Sequence, residues 1–388
     1  MVPVHVTDEQ IALSPGRVVS KARAVAATRP ERFYHPELDV LRFFAFLLVF
    51  LAHCDYQVLD LHGTLPKFIA NLFYSFHDAG FSGVSLFFTL SSYLITELLL
   101  KEQKATNGIH LKAFYIRRVL RIWPLYFFFL LVVRPIAGHF FVWEHFTRAD
   151  YLSFLLMVGN WKCVFTGWPP SVAAPLWSIS IEEQFYLVWP LLVWRFRRQL
   201  PALCLGMLIV ANMIRVLLVL YPRYDTAIWC NTFARLDPFA LGGLLAFALQ
   251  GQAIRMSELL RTMLISFSFL LLMLAARFGD HTDSRAILSY PFESFACLAL
   301  LFAVLRPMES WSPGTPGRVL IYLGRISYGL YVYHLLFLKF FVLTRFGLWV
   351  RQPMALACTI LCSIVSYELL EKPFLRLKQR FTFVRSRL

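Results

Sequence analysis

The sequence predicts an all-α protein: a polytopic membrane helix bundle of about ten transmembrane helices, with both termini cytoplasmic. Three observations carry this. Of 388 residues, 58% are hydrophobic and 16% charged, against roughly 45–50% and 25% in soluble proteins. Mean hydropathy is +0.60, and Phe alone occurs 38 times. Apolar runs of spanning length, each about 20 residues, follow one another down the chain. So few charges cannot cover a water-soluble globule of this apolar content. The same figures exclude a disordered chain, collagen, a coiled coil and a disulfide-stapled module.

The elements follow in order. Residues 1–37 are polar and basic, lack the apolar core of a signal peptide, and read as a cytoplasmic N-terminal tail. Spans are expected at about 38–58, 82–100, 115–137, 176–195, 201–220, 231–250, 261–278, 286–305, 319–343 and 353–372. The stretch 151–159 is too short to cross and is expected at the interface. The membrane domain occupies 38–376, and 377–388 is a basic cytoplasmic C-terminal tail. No internal repeat is visible, and no soluble domain is expected at either end.

The net charge is +15 and the isoelectric point about 9.7. In a soluble protein that would point to nucleic acid; here it follows from Lys and Arg gathering in cytoplasmic loops. With an internal N-terminus and ten alternating spans, 25 of the 38 Lys and Arg residues fall inside and nine outside. Arg42, Arg215, Arg235 and Lys339 lie at membrane depth. The seven cysteines are scattered, without CxxC, and read as small apolar fillers. Cys54, Cys163 and Cys230 lie near one face, where one disulfide is conceivable but not inferable.

Charges in the hydrocarbon cost ~2.5–3.5 kcal/mol each and are functional candidates. Arg42 and His53 share the first span, eleven residues apart, which places both on one helix face about 16.5 Å apart along the axis. The plainer alternative is a snorkelling Arg and a core His. Arg117, Arg118 and Arg121 crowd the cytoplasmic start of the third span. Arg118 and Arg121 are i, i+3 neighbours whose guanidiniums suit phosphate oxygens, unless the cluster is only a positive-inside anchor. The fourth span opens Trp177-Ser178-Ile179-Ser180-Ile181-Glu182-Glu183-Gln184. Its adjacent carboxylates point about 100° apart, so one at most meets His53. Arg235 and Asp237 lie at similar depth, unless they simply satisfy each other. The ninth span adds Tyr328, Tyr331, Tyr333 and His334. The polar groups gather at one level, with the arginines at the cytoplasmic face: a bipolar site for a phosphate-bearing substrate from inside and a second substrate from outside. No His/Cys/Asp set has metal-ligand spacing, and no Walker loop, GxGxxG or GxSxG occurs.

In chain order these blocks resemble the acyltransferase 3 family of integral membrane O-acyltransferases, which decorate O-antigens, Nod factors and exopolysaccharides. "ELDVLRFFAFLLVFLAH", "GVSLFFTLSSYLITELL", "FYIRRVLRIWPLY", "PLWSISIEEQFYLVWPLL", "TFARLDPFALGGLLA", "ISYGLYVYHLLF" and "SYELLEKPFLRLK" follow the family order. The resemblance implies a short acyl-CoA donor, usually acetyl-CoA, used from the cytoplasm, with no permanently bound cofactor. The family's Arg/Lys-x10-His motif falls on Arg42 and His53, and its Arg-x-x-Arg motif on Arg118 and Arg121. Two departures stand out. Ser85 replaces an acidic residue, and Ser91-Ser92-Tyr93 replaces Ser-Gly-Phe, where a serine is expected to narrow the lumen. No fused esterase-like domain is expected after the tenth span.

The expected function is transfer of an acyl group, typically acetyl, from acyl-CoA to a hydroxyl of a carbohydrate or glycoconjugate, in a bacterial inner membrane. His53 would be the general base or acyl carrier, oriented by Glu182 or Glu183. Arg42, Arg118 and Arg121 would hold the donor. Ser178, Arg235, Asp237, Tyr328 and His334 would serve the acceptor or support the first group. A transporter or flippase of a sugar-bearing or acylated substrate is the alternative. It lacks an inverted repeat or a Gly/Pro-broken helix pair. A structural subunit leaves the intramembrane charges unexplained.

Overall fold

The computed structural model describes residues 34–54, 67–222, 226–252, 254–277, 284–305 and 314–382. Residues 1–33 of the expected N-terminal tail and 383–388 of the expected C-terminal tail lie outside the described residues. Those described form helices and connecting turns, with no strand among them.

The helices are α1 (Pro36–Ala52), α2 (Lys67–Ala79), α3 (Ser82–Thr106), α4 (Leu111–Phe128), α5 (Arg134–Phe140), α6 (Arg148–Leu155), α7 (Gly159–Thr166), α8 (Trp177–Phe196), α9 (Leu200–Leu220), α10 (Thr226–Cys230), α11 (Leu236–Leu249), α12 (Glu258–Arg277), α13 (Ala286–Val304), α14 (Thr315–Arg325), α15 (Ser327–Val342), α16 (Leu348–Ser366) and α17 (Lys372–Lys378).

Among the described residues, six helical stretches are long and apolar enough to cross a membrane, and the pair α14–α15, bent by 74°, makes a seventh. One stretch, Ala174–Leu220, runs for 47 residues. At 1.5 Å per residue that is about 70 Å, more than twice a ~30 Å hydrocarbon core. The turn Arg197–Gln199 divides it into α8 and α9, each of spanning length. Two of the expected spans yield shorter helices. α1 has 17 residues and α11 has 14. The expected 231–250 helix is interrupted because Asn231 Oδ1 accepts from the backbone N–H groups of Phe233 (2.9 Å) and Ala234 (3.2 Å). That side chain competes with the helical ladder. At the other end Gln250 and Gly251 turn left-handed. The single interfacial segment expected at 151–159 is two short helices, α6 and α7. The first is closed by a capping box between Thr147 and Asp150.

Two π-helical turns, Phe129–Val133 and Tyr367–Glu371, each precede a proline by two residues. Pro135 and Pro373 donate no hydrogen bond, and their rings crowd the carbonyls of Leu131 and Leu369, which lie inside those turns. The wider turn absorbs the misfit.

α1 packs on α3, α14 and α15, and α3 packs on α11 and α13. Backbones meet closely at Gly242, where a Cβ would strike the Thr89 carbonyl, and at Gly324, where it would strike Asp39. Small residues at helix crossings do this in membranes. Ser92 faces the same α3–α11 contact, donating to the Phe239 carbonyl at 2.5 Å. It fills a helix interface, contrary to the expected narrowing of the lumen. Outward faces carry Leu205, Ile209, Met213, Phe267, Leu270, Leu361 and Leu369. Glu97, Arg215, Arg235, Asp237 and Glu293 are buried instead. This inside-out polarity is that of a lipid-embedded bundle.

Candidate active site

α1, α3, α4, α8 and α15 enclose a cleft that is partly open to the exterior. At its basic end stand Arg42, Arg118 and Arg121; further lining includes Ser91, Ser178, Glu182, Tyr186, Tyr328 and Tyr331. Four helices of distant sequence therefore bring the predicted arginines, Ser178, Glu182 and Tyr328 to one space.

The three arginines of α4 differ in their bonds. Arg117 is committed: it donates to Glu102 at 2.9 Å and to the Phe381 carbonyl at 2.8 Å. Arg118 lies over the rings of Phe114 (5.4 Å) and Tyr186 (5.3 Å), and its Nε has no hydrogen-bond partner among the described residues. Arg121 makes a long 3.5 Å contact with the Arg325 carbonyl. Arg42 faces Asp39 at 3.8 Å. Cations held by rings and weak contacts stay available to an anion.

Glu182 and Glu183 diverge, as adjacent helical positions must. Glu182 enters the cleft and accepts from Ser91 and Tyr186. Glu183 turns to Trp123, whose Nε1 donates at 3.1 Å. The hydrogen bonds of both carboxylates run to these groups rather than to His53. Gln184 ties α8 to α7 and the 231–235 turn, donating to Asn160 (2.8 Å) and accepting from Thr232 (2.6 Å).

His53 caps the end of α1. Its Nδ1 is 2.8 Å from the Val49 carbonyl. Because a carbonyl only accepts, the neutral ring carries its proton there and leaves Nε2 with a lone pair. His334 repeats the pattern, with Nδ1 2.5 Å from the Tyr331 carbonyl and Nε2 without a hydrogen-bond partner among the described residues. The two rings lie 5.0 Å apart. The Tyr331 ring is 5.5 Å from His334, and its hydroxyl shares a 2.6 Å hydrogen bond with Ser178. His334, and through it His53, thus adjoins the Ser178–Tyr331 wall of the cleft, and Tyr328 is fixed by donating to the Ile122 carbonyl at 2.9 Å.

Arg235 and Asp237 do not satisfy each other. Asp237 pairs with Arg215 at 2.5 Å, which also donates to the Ala234 carbonyl. Arg235 donates to Ser85 at 2.6 Å, lies 3.8 Å from Glu293, and sits over the Tyr290 ring. This network lies behind Phe88, one of the cleft-lining residues. The sequence reading passed over Glu293, although a lone carboxylate in the 286–305 apolar run was a usable signal. It also passed over the partners of Glu182, Ser91 and Tyr186, which carry no charge to stand out.

A family model described as an acyltransferase domain matches residues 35–368. The chain is 28% identical over 371 residues to the peptidoglycan O-acetyltransferase OatA of Listeria monocytogenes, covering 89% of this chain and 56% of that protein. It is 26% identical over 365 residues to the O-acetyltransferase OatA of Staphylococcus aureus, covering 88% and 57%. The chain spans about half the length of the curated relatives it matches. No solved structure matches it.

Proposed function

This chain belongs to the acyltransferase family, and from that premise we propose that it moves an acetyl group from acetyl-CoA to a hydroxyl of a carbohydrate or glycoconjugate. It works as a multi-pass protein of a bacterial inner membrane, with ten spans and both ends in the cytoplasm. The observation that supports the donor is the cleft's basic end, where Arg42, Arg118 and Arg121 meet with little acid between them. Phosphates of a CoA nucleotide need such cations. The pantetheine arm then runs along the cleft toward Ser178 and Tyr331.

The chemistry is a direct transfer. The acceptor oxygen bonds to the thioester carbonyl carbon as Nε2 of His53 takes the hydroxyl proton; the carbon–sulfur bond breaks, and the CoA thiolate takes up a proton on release. Glu182 holds Ser91 and Tyr186 in place along the wall. Glu183, Arg235 and Asp237 support it from behind. Names of the relatives support acetyl and a glycan acceptor. Reconstituted protein should release CoA thiol only when a glycan acceptor is supplied, and His53→Ala should stop this. Acceptor-independent passage of sugar across the vesicle wall, with no thiol released, would establish the transporter instead.

A further inference from the structure

Sequence reading assigned the donor site to arginines of α1 and α4. The structure adds a cation from the other end of the chain. α17 packs on α4, and Arg117 holds the segment in place through the Phe381 carbonyl at 2.8 Å. This brings Lys378, half-buried, alongside the helix that carries the cleft arginines Arg118 and Arg121. Burial first, and then the charges of Arg121, Arg118, Arg117 and Arg42, lower its pKa to about 7. No carboxylate pairs with its ammonium among the described residues. Of its neighbours, Arg117 is neutralised by Glu102, and Arg42 shares Asp39 with Arg325. Arg118, Arg121 and Lys378 remain without a carboxylate ion pair among the described residues. Like charges gathered out of water repel unless a counter-ion of several charges sits among them.

We propose that Lys378 binds the terminal phosphomonoester of the CoA nucleotide, the phosphate farthest from the thioester. Arg118 and Arg121 line the cleft, whereas Lys378 stands beyond its lining. A CoA donor with its thioester inside places its pyrophosphate at the mouth and its 3′-phosphate outermost. The arginines then take the pyrophosphate and Lys378 the phosphomonoester. The inference rests on the acyl-CoA reading and adds which phosphate is recognised, and by what.

The test is calorimetric binding of CoA and dephospho-CoA, which lacks only that phosphate, to the full chain in zwitterionic-lipid nanodiscs. The unmodified protein should prefer CoA by roughly tenfold, the value of one charge-assisted contact. Lys378→Ala and Lys378→Met should abolish the preference while leaving dephospho-CoA affinity unchanged, which also shows that the variants fold. Lys378→Arg should keep it. A preference that survives in both neutral variants, or none in the unmodified protein, overturns the assignment. An effect of Lys378 that appears only when anionic lipid is added makes it a headgroup anchor and also overturns it. Failure of the unmodified protein to bind either nucleotide defeats the acyl-CoA reading itself.

Discussion

The imidazole rings of His53 and His334 meet edge to face, with centroids 5.0 Å apart and planes at 71°. They come from the end of α1 and the middle of α15. Both turn Nδ1 to a backbone carbonyl, which in the neutral ring holds the proton on Nδ1 and leaves Nε2 as the acceptor.

His53→Ala should therefore lower acyl transfer by ~10²–10⁴-fold, the usual range for loss of a general base, with unchanged expression and thermal stability. His334→Asn should cost roughly tenfold, since it shapes the ring's surroundings rather than taking the proton. Steady-state rates with acetyl-CoA decide this. Activity of His53→Ala within threefold of the parent removes His53 from the mechanism.

The arginines of α4 separate by partner. Arg118→Ala and Arg121→Ala should raise the apparent KM for acetyl-CoA roughly ten- to a hundredfold and leave that of the acceptor unchanged. Lysine at either position should rescue only partly, because it lacks the bidentate fork. Arg117→Ala should behave differently. It takes the only ion-pair partner among the described residues from buried Glu102, leaving the His110 backbone N–H as a donor to it, and breaking such a pair costs about 3–5 kcal/mol. Its signature is a lower melting temperature with an unchanged donor KM in the protein that remains folded.

Glu182 and Glu183 separate in the same way. Glu182→Gln should lower kcat at least tenfold, because its carboxylate accepts from Ser91 and Tyr186 in the cleft wall. Glu183→Gln keeps an acceptor for Trp123 and should stay within about threefold. Equal losses in the two variants would mean that the cleft wall does not set the rate.

The bundle and the cleft arginines were legible because charge is rare in this chain, so each charge in an apolar run marks itself. Spacing also placed Glu182 and Glu183 on different faces, as found. Pairings across helices were not legible. Arg235 and Asp237 are two residues apart and look like partners, yet one reaches Glu293 and the other Arg215. Only the packing of α9, α11 and α13 decides that. Lys378 was counted among the C-terminal basic residues because nothing local shows that α17 folds back onto α4.

The last prediction concerns pH and lies outside the cleft. His35 precedes α1, with Nδ1 3.1 Å from Glu37 and Nε2 3.6 Å from Glu97. Burial alone would lower its pKa, but the two carboxylates overcome that and raise it to about 9. An unfolded histidine titrates near 6.5. Below about pH 6.5 the ring is charged in both states and the ion pairs contribute their full stabilisation. Between about 6.5 and 9 the unfolded chain has lost its proton while the folded chain keeps it, so the contribution falls as pH rises. Above about 9 it is gone. The melting temperature of the detergent-held protein should thus drop between pH 7 and 9.5, and the drop should be smaller in His35→Gln by on the order of 5 °C. Comparing the two proteins cancels every other titrating group. Parallel melting curves across that window would show that His35 carries no charge in the folded state, and that Glu97 is held by Lys101, 3.1 Å away, alone.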